Sequence, residues 1–397
     1  MPITFLCLAS YFKGADFMEE AKAQGCRVFL LTCEKLKNEP WPHHVLDDIF
    51  YMPELNRFPD ITRAVSYLAR ERQIDRIVAL DDYDVETAAR LREHLRVPGM
   101  GDTTARYFRD KLAMRVQARD CGVRVPDFVH VLNHRQIHDF IHRCPAPWVL
   151  KPRSEAGSVG IKKLHQSSEV WETIERLADI QSYYLMEQFV SGAVYHVDSI
   201  VYDSKVLFSQ AHRYGVPPFA VWNHGGVFSS TSLAKDDPDM PELLQLNADV
   251  IRAMKLPRGV THAEFIKSDR DGKFYYLEMA ARVGGASIDK LIEHTTGINQ
   301  WREWVKLELA HVQKQGYKVP KRRFDHGGLL VCLSKQAEPD LNGYNAPEVA
   351  WKMNKLHHAG MVVVAHNAER RDELIKDYKR RMELDFLAVQ PPSETAV

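Results

Sequence analysis

Lys151 stands at the end of an apolar run and opens a loop of small residues. In WVLKPRSEAGSVGIKKL (148–164) the run predicts a strand, the loop spans Ser154 to Gly160, and a second strand follows. Glycines such as Gly157 and Gly160 let backbone N–H groups come close to phosphate oxygens, and Ser154 and Ser158 add small polar side chains to the same loop. No Gly-Lys-Ser/Thr follows at the spacing of a Walker A loop, and the segment opens into a strand instead of a helix. The pattern therefore predicts a hairpin lid over phosphates with Lys151 as a fixed cation; a tight surface hairpin beside a surface lysine is the plainer reading. Two acids give the second signal. Glu264 lies in GVTHAEFIK (259–267) and Glu278 in FYYLEMAARVGG (274–285), with a turn from Asp269 to Gly272 between them. Both segments alternate as strands do, so a hairpin sets the two carboxylates side by side among apolar neighbours. Such a pair repels unless a proton or a cation intervenes. Mg2+ prefers carboxylate and phosphate oxygens, and Mn2+ would suit the same donors. Arg282, followed by Gly284 and Gly285, falls at the same mouth. The competing reading is two solvated glutamates with a salt-bridging arginine, which the apolar flanks weigh against. A third signal, YYLMEQFVSG (183–192), presents Glu187, Gln188, Phe189 and Val190 at the end of a strand, where exposed backbone N–H and C=O groups can pair with an adenine edge.

Holding these groups together takes several layers. Residues 3–9, 27–32 and 76–80 read as buried strands separated by helices at 14–24 and 61–73, with another at 84–95. That order predicts a parallel sheet with right-handed crossovers. Asp81 and Asp82 follow the third strand directly, where ligand crevices of open α/β sheets lie, although capping of the next helix explains them equally well. Pro98-Gly99 marks a break, and Asp102 caps a helix to about residue 120. The expected division is an N-terminal α/β unit (1–100), a linker helix (101–122), a lid (123–191), a catalytic unit of meandering strands (192–320) and a small separate α+β unit (321–397). The fold class is thus multidomain, α/β and α+β. His134, His138 and His142 recur every four residues on one helix and read as a solvated face more readily than as a metal stripe.

Composition narrows the partners. Lys+Arg and Asp+Glu are each 53, so there is no basic excess for nucleic acid. The six cysteines are scattered with no Cys-x-x-Cys pair, which argues against a zinc ribbon or a disulfide scaffold. The first residues carry a short apolar run without a basic start, as a first buried strand does, and the expected setting is cytoplasmic and away from membranes.

Taken in order, Asp110-Lys111, Lys151-Pro152 with its glycine loop, Glu187 to Val190, His262-x-Glu264 and Glu278-x-x-x-Arg282-x-Gly284-Gly285 resemble the ATP-grasp superfamily, carboxylate–amine ligases and biotin-carboxylase-like members in particular. The resemblance implies that Lys111 and Lys151 contact the phosphates of ATP, that Glu187 and the backbone of Phe189 and Val190 form the adenine hinge, and that Glu264 and Glu278 hold Mg2+. It gives Arg282 the transferring phosphate, and it gives His196 and Asp198 the ribose. Two positions depart from the pattern: Ala280 stands where many members have a third metal-ligating Asn, and Val194 where many amine ligases have an acid. The implied activity activates a carboxylic acid as an acyl phosphate and couples it to an amine, with amino acids as the default substrates. Segments 212–214 and 222–226, with Arg213 and His224, are the expected substrate pocket together with Gly284 and Gly285; a surface loop is the rival reading for 212–225. A bicarbonate-using carboxylase and a non-catalytic ATP-binding module are the alternatives, and a homodimer is compatible with the sequence.

Overall fold

The structure is a computed structural model that describes residues 2–157, 159–217, 221 and 225–388. Its first sheet holds β1 (Thr4–Ala9), β2 (Arg27–Cys33), β3 (Asp48–Met52) and β4 (Arg76–Ala79) in the order β3-β2-β1-β4. All pairings are parallel. Every residue of β1 is buried, as expected where helices cover both faces. The sequence reading missed β3. Its five residues, DIFYM, are all half-buried at the sheet edge, and the short apolar run Ile49 to Met52 is the signal that could have marked it.

A second sheet holds β5 (Phe128–His130), β6 (Trp148–Pro152), β7 (Lys162–Leu164) and β8 (Tyr184–Gln188), ordered β5-β8-β6-β7 and antiparallel throughout. Helices His134–Arg143 and Ser167–Leu177 bury Ile137, Phe140, Val170 and Ile174 against Trp148, Leu150 and Met186 of its covered face. Strand alternation then sends Lys151 and Glu187 to the opposite face.

The third sheet has eight strands among the described residues: β9 (Gly192–Tyr202), β10 (Lys205–Tyr214), β11 (Phe228–Ser232), β12 (Gly259–Ser268), β13 (Phe274–Ala280), β14 (His326–Leu333), β15 (Val349–Lys352) and β16 (His358–Ala365). Their order is β13-β12-β9-β10-β11-β14-β16-β15. Gly192 admits no side chain: a Cβ there would lie 1.9 Å from the Lys267 carbonyl oxygen, so the chain can enter β9 this closely only as glycine. The strands of the last unit, expected as part of a small separate α+β unit, do not form a sheet of their own. β14 pairs with β11 from Phe228↔Val331 to Thr231↔Gly328, so the C-terminal strands extend the central sheet and cover what would be an open edge. Helix Ala368–Asp385 packs over β14 and β16.

The expected single helix from Asp102 to residue 120 is two helices, Asp102–Ala105 and Lys111–Asp120. Asp110 ends the link between them and caps the second helix, its carboxylate accepting from the amides of Leu112 (2.9 Å) and Ala113 (3.3 Å). That break places Lys111 at a helix start. No helix among the described residues is long and apolar enough to cross a membrane.

Candidate active site

The central sheet and the second sheet line one cleft. On β9, Val194, His196, Asp198 and Ile200 share one side, while Tyr195, Val197 and Val201 pack toward helix Met240–Ala253. Across β12 and β13, Glu264 lies directly opposite Glu278, and His262 opposite Ala280. The pairing slips by one residue between Glu264 and Phe265, leaving Leu277 extra on β13. A bulge of this kind re-aims side chains, and Leu277 and Glu278 both line the cleft.

Lys111 enters the cleft from its helix start. Its Nζ lies 3.0 Å from Glu278 Oε2 and donates to the Glu155 carbonyl at 2.5 Å. Burial raises the pKa of Glu278, but the charges of Lys111 and Lys151 outweigh that and hold it down at about 2. Lys151 pairs with Glu187, whose other oxygen is 2.5 Å from Arg115 Nε. Burial pulls Lys151 down to about 8 even though Glu187 opposes the shift, and Arg115 and Lys111 add to it. Arg115 was not read from the sequence. It stands four residues after Lys111 on one helix and so shares its face, a spacing that could have marked it.

Glu264 is oriented from behind. Tyr214 donates its hydroxyl to Glu264 Oε1 at 2.8 Å, and burial beside that carboxylate raises the Tyr214 pKa well above 10. His262 Nε2 is 3.7 Å from the same oxygen. Burial disfavours the charged form of His262, but Asp198 prevails and its pKa rises to about 9.

Beside this cleft lies a second recess lined by Asp82, Arg109, Lys111, Gly157 and Arg282. Asp82 pairs with Arg109 at 2.9 Å. Asp81 pairs with Lys13 and also accepts from the Tyr83 amide at 3.0 Å, so of the two acids after β4 one lines the recess and the other caps. Arg282 Nη1 donates to the Val283 carbonyl at 2.8 Å, while its buried Nε has no partner among the described residues. A guanidinium N–H buried without an acceptor is costly and suits an anion arriving from the recess.

In the loop after β6, Gly160 has φ +69°, and a Cβ there would meet Pro152 Cγ at 2.9 Å. Gly157 also has a positive φ, +66°. The Ser154 carbonyl accepts from Arg109. Ser158 lies outside the described residues, as do Trp222, Asn223 and His224.

Several expected roles need correction. His196 and Asp198 are fully buried and cannot touch a ribose. His196 Nδ1 is 2.7 Å from Asp198 and Nε2 is 2.7 Å from Ser230 Oγ, and Asp198 also receives His262 at 2.8 Å. Burial lowers His196 to about 3. His196, Asp198 and His262 bring ligand-type atoms within 4.8 Å of one another, but both Nδ1 atoms are spent on Asp198. Gly284 packs on this group, a Cβ there lying 2.9 Å from Asp198 Oδ1, whereas Gly285 faces open space. Arg213 is exposed on the other side of β10 from His212 and Tyr214, 5.7 Å from the Tyr195 ring, and is no part of the cleft. Glu187 does not face an adenine edge either: its side chain is 4% exposed between two cations. In the same segment the amides of Gln188 and Phe189 already donate to Asp127 (2.8 Å) and Pro147 (3.0 Å). The Phe189 ring sits under Lys163 at 3.6 Å. The Val190 amide has no such bond among the described residues.

No family profile matches the chain. An L-arginine-specific L-amino acid ligase of Bacillus subtilis is 24% identical over 276 residues, covering 68% of this chain and 66% of that protein. A D-alanine–D-alanine ligase of Marinobacter nauticus is 24% identical over 214 residues, covering 46% of this chain and 60% of that one. The matches thus span less than two thirds of these relatives' lengths. Among solved structures, an L-amino acid ligase from Bacillus licheniformis superposes with a TM-score of 0.77 at 17% identity, covering 98% of both chains. An N5-carboxyaminoimidazole synthetase from Staphylococcus aureus complexed with ADP does so with a TM-score of 0.73 at 15% identity, covering 95% of this chain and 97% of that one.

Proposed function

We propose that this chain, which has the ATP-grasp fold, is an ATP-dependent ligase that activates a carboxylic acid as an acyl phosphate and passes the acyl group to an amine. The observation that carries the reading is one cleft lined by Glu264, Glu278, Lys111 and Lys151, with the two glutamates directly opposed across β12 and β13. Amino acids are the proposed acid and amine, a choice supported by the likeness to amino-acid ligases.

The donor set suits a hard divalent cation: two opposed carboxylates whose oxygens line one cleft with two lysines. Glu264 and Glu278 would hold Mg2+, which would draw negative charge from the ATP phosphates. The remaining roles fall to side chains already in place. Lys111 and Lys151 would bind phosphate oxygens, and the free N–H of Arg282 would orient the carboxylate and the transferring group. Tyr214 and His262 keep Glu264 aimed into the cleft. A carboxylate oxygen attacks the γ-phosphorus, the bond to ADP breaks, and an acyl phosphate forms. The amine nitrogen then attacks the carbonyl carbon, and phosphate leaves. The loop between β6 and β7 shields that intermediate from water.

Screening ADP release over paired amino acids tests the reading. Release that needs both an acid and an amine is the expected result. Release with bicarbonate alone contradicts it, and so does tight ATP binding without turnover over the whole panel.

Titration of Lys151 gives a further expectation. The buried lysine is cationic below about 8 and loses its charge as pH rises through that value, so phosphate binding weakens in the alkaline direction. The apparent Kd for ATP should rise by up to about tenfold per pH unit above pH 8. Lys151→Arg should flatten that rise. A wild-type Kd unchanged from pH 7 to 9.5 by equilibrium titration would remove Lys151 from the phosphate site.

A further inference from the structure

Three guanidinium groups are buried together beside β4. Arg76 opens β4, Arg92 lies on helix Val85–Leu95, and Arg258 immediately precedes β12. All three line one small cavity between the N-terminal sheet and the start of β12, together with Trp304 and Glu308 of helix Gln300–Val312. Arg76 and Arg92 are 3% and 8% exposed, and the Arg258 side chain 9%.

Among the described residues Glu308 is the one carboxylate in the cavity lining, and Arg76 and Arg258 (3.1 Å) share its Oε2. Arg92 has no acid of its own there: its Nε donates to the Met100 carbonyl at 2.9 Å and its Nη1 to that of Ile77 at 2.8 Å. Three cations therefore face one anion where water has little access. Burial and the other two guanidiniums outweigh Glu308 and lower Arg92 to about 10. Hydrogen bonding is unbalanced in the same sense. Arg76 Nε, Arg258 Nη2 and Trp304 Nε1 are buried and have no acceptor among the described residues. These are donors only, and an unmet buried donor and an uncompensated buried cation are both costly.

We propose that this cavity is a binding site for a small inorganic anion, a halide or a compact oxyanion, which accepts from Arg76, Arg258 and Trp304 and ties the N-terminal sheet to the catalytic sheet. The cavity is distinct from the nucleotide cleft, and no residue of the proposed ligase chemistry lines it. Its small size excludes a nucleotide or a peptide. Ala281, one residue before Arg282, lies in its wall, so an anion there also steadies the segment that carries that arginine.

Bromide in place of chloride in crystals of the wild-type chain decides the matter. An anomalous peak within hydrogen-bond distance of Arg76 Nε, Arg258 Nη2 and Trp304 Nε1 is expected. Water density alone at that place, in crystals that bind bromide elsewhere, overturns the proposal. In solution, chloride titrated at constant ionic strength should give a saturable rise in Tm of roughly 2–4 °C. Arg258→Met should lose that saturable rise, since Glu308 keeps Arg76 as its partner and the fold retains its inner ion pair. An equal response in wild type and variant overturns the site, and neither readout depends on ligase activity.

Discussion

Replacing Glu278 by alanine should lower ADP release by a factor on the order of 10²–10³. Glu278 is one of the two opposed carboxylates and the partner of Lys111 at 3.0 Å. The substitution removes a proposed Mg2+ ligand and leaves Lys111 with the Glu155 carbonyl. Its side chain is 35% exposed, so truncation opens no sealed cavity and the fold should persist. Circular dichroism and Tm near wild type would separate a chemical defect from unfolding. A folded variant that releases ADP at the wild-type rate would take Glu278 out of the mechanism. Added Mg2+ at high concentration should recover part of the loss, because the defect is in holding the ion.

Arg282→Lys should fall nearly as far in kcat, while ATP affinity stays close to wild type. The substitution keeps one positive charge and discards the planar fork that can bind a carboxylate or phosphate through two N–H groups. The unmet Nε of Arg282 and its place in the recess with Lys111 and Gly157 support a role toward the acid and the transferring group. The expected loss in kcat is on the order of 10²–10³. Steady-state kinetics at saturating ATP, with ATP affinity measured separately, reads this out. A variant whose ATP affinity collapses while kcat holds would place Arg282 on the nucleotide instead.

The opposed glutamates were legible because two local facts sufficed. Both segments alternate, and the turn between them is short, so the hairpin follows from sequence alone. The bulge that brings Leu277 into the cleft left no mark, since it depends on where the register slips. Depth was equally hidden. His196 and Asp198 share a strand face with Val194, and alternation reports the face but not the distance from solvent; the neighbours that bury them, Ser230 and His262, come from other strands. Arg213 was misplaced by strand phase, since His212 and Tyr214 point to the cleft side and the residue between them must point away. Glu187 was expected at an adenine hinge, yet Arg115 and Lys151 claim its carboxylate; Lys151 reaches it from the neighbouring strand β6, and Arg115 from helix Lys111–Asp120, whose packing against that sheet the sequence does not report.

The fold shows the same division between local and distant information. Parallel strands β1, β2 and β4 announce themselves as buried apolar runs. The joining of β14 to β11 does not, because the choice of strand partner needs no sequence unlike that of its surroundings.

An acid labelled with oxygen-18 in its carboxylate tests the central claim most directly. If the carboxylate attacks the γ-phosphorus and an amine later displaces phosphate, each phosphate released carries one heavy oxygen from the acid. Mass spectrometry of the phosphate formed together with the amide should therefore show that single label. Unlabelled phosphate alongside labelled amide would contradict the acyl phosphate and the ligase reading built on it.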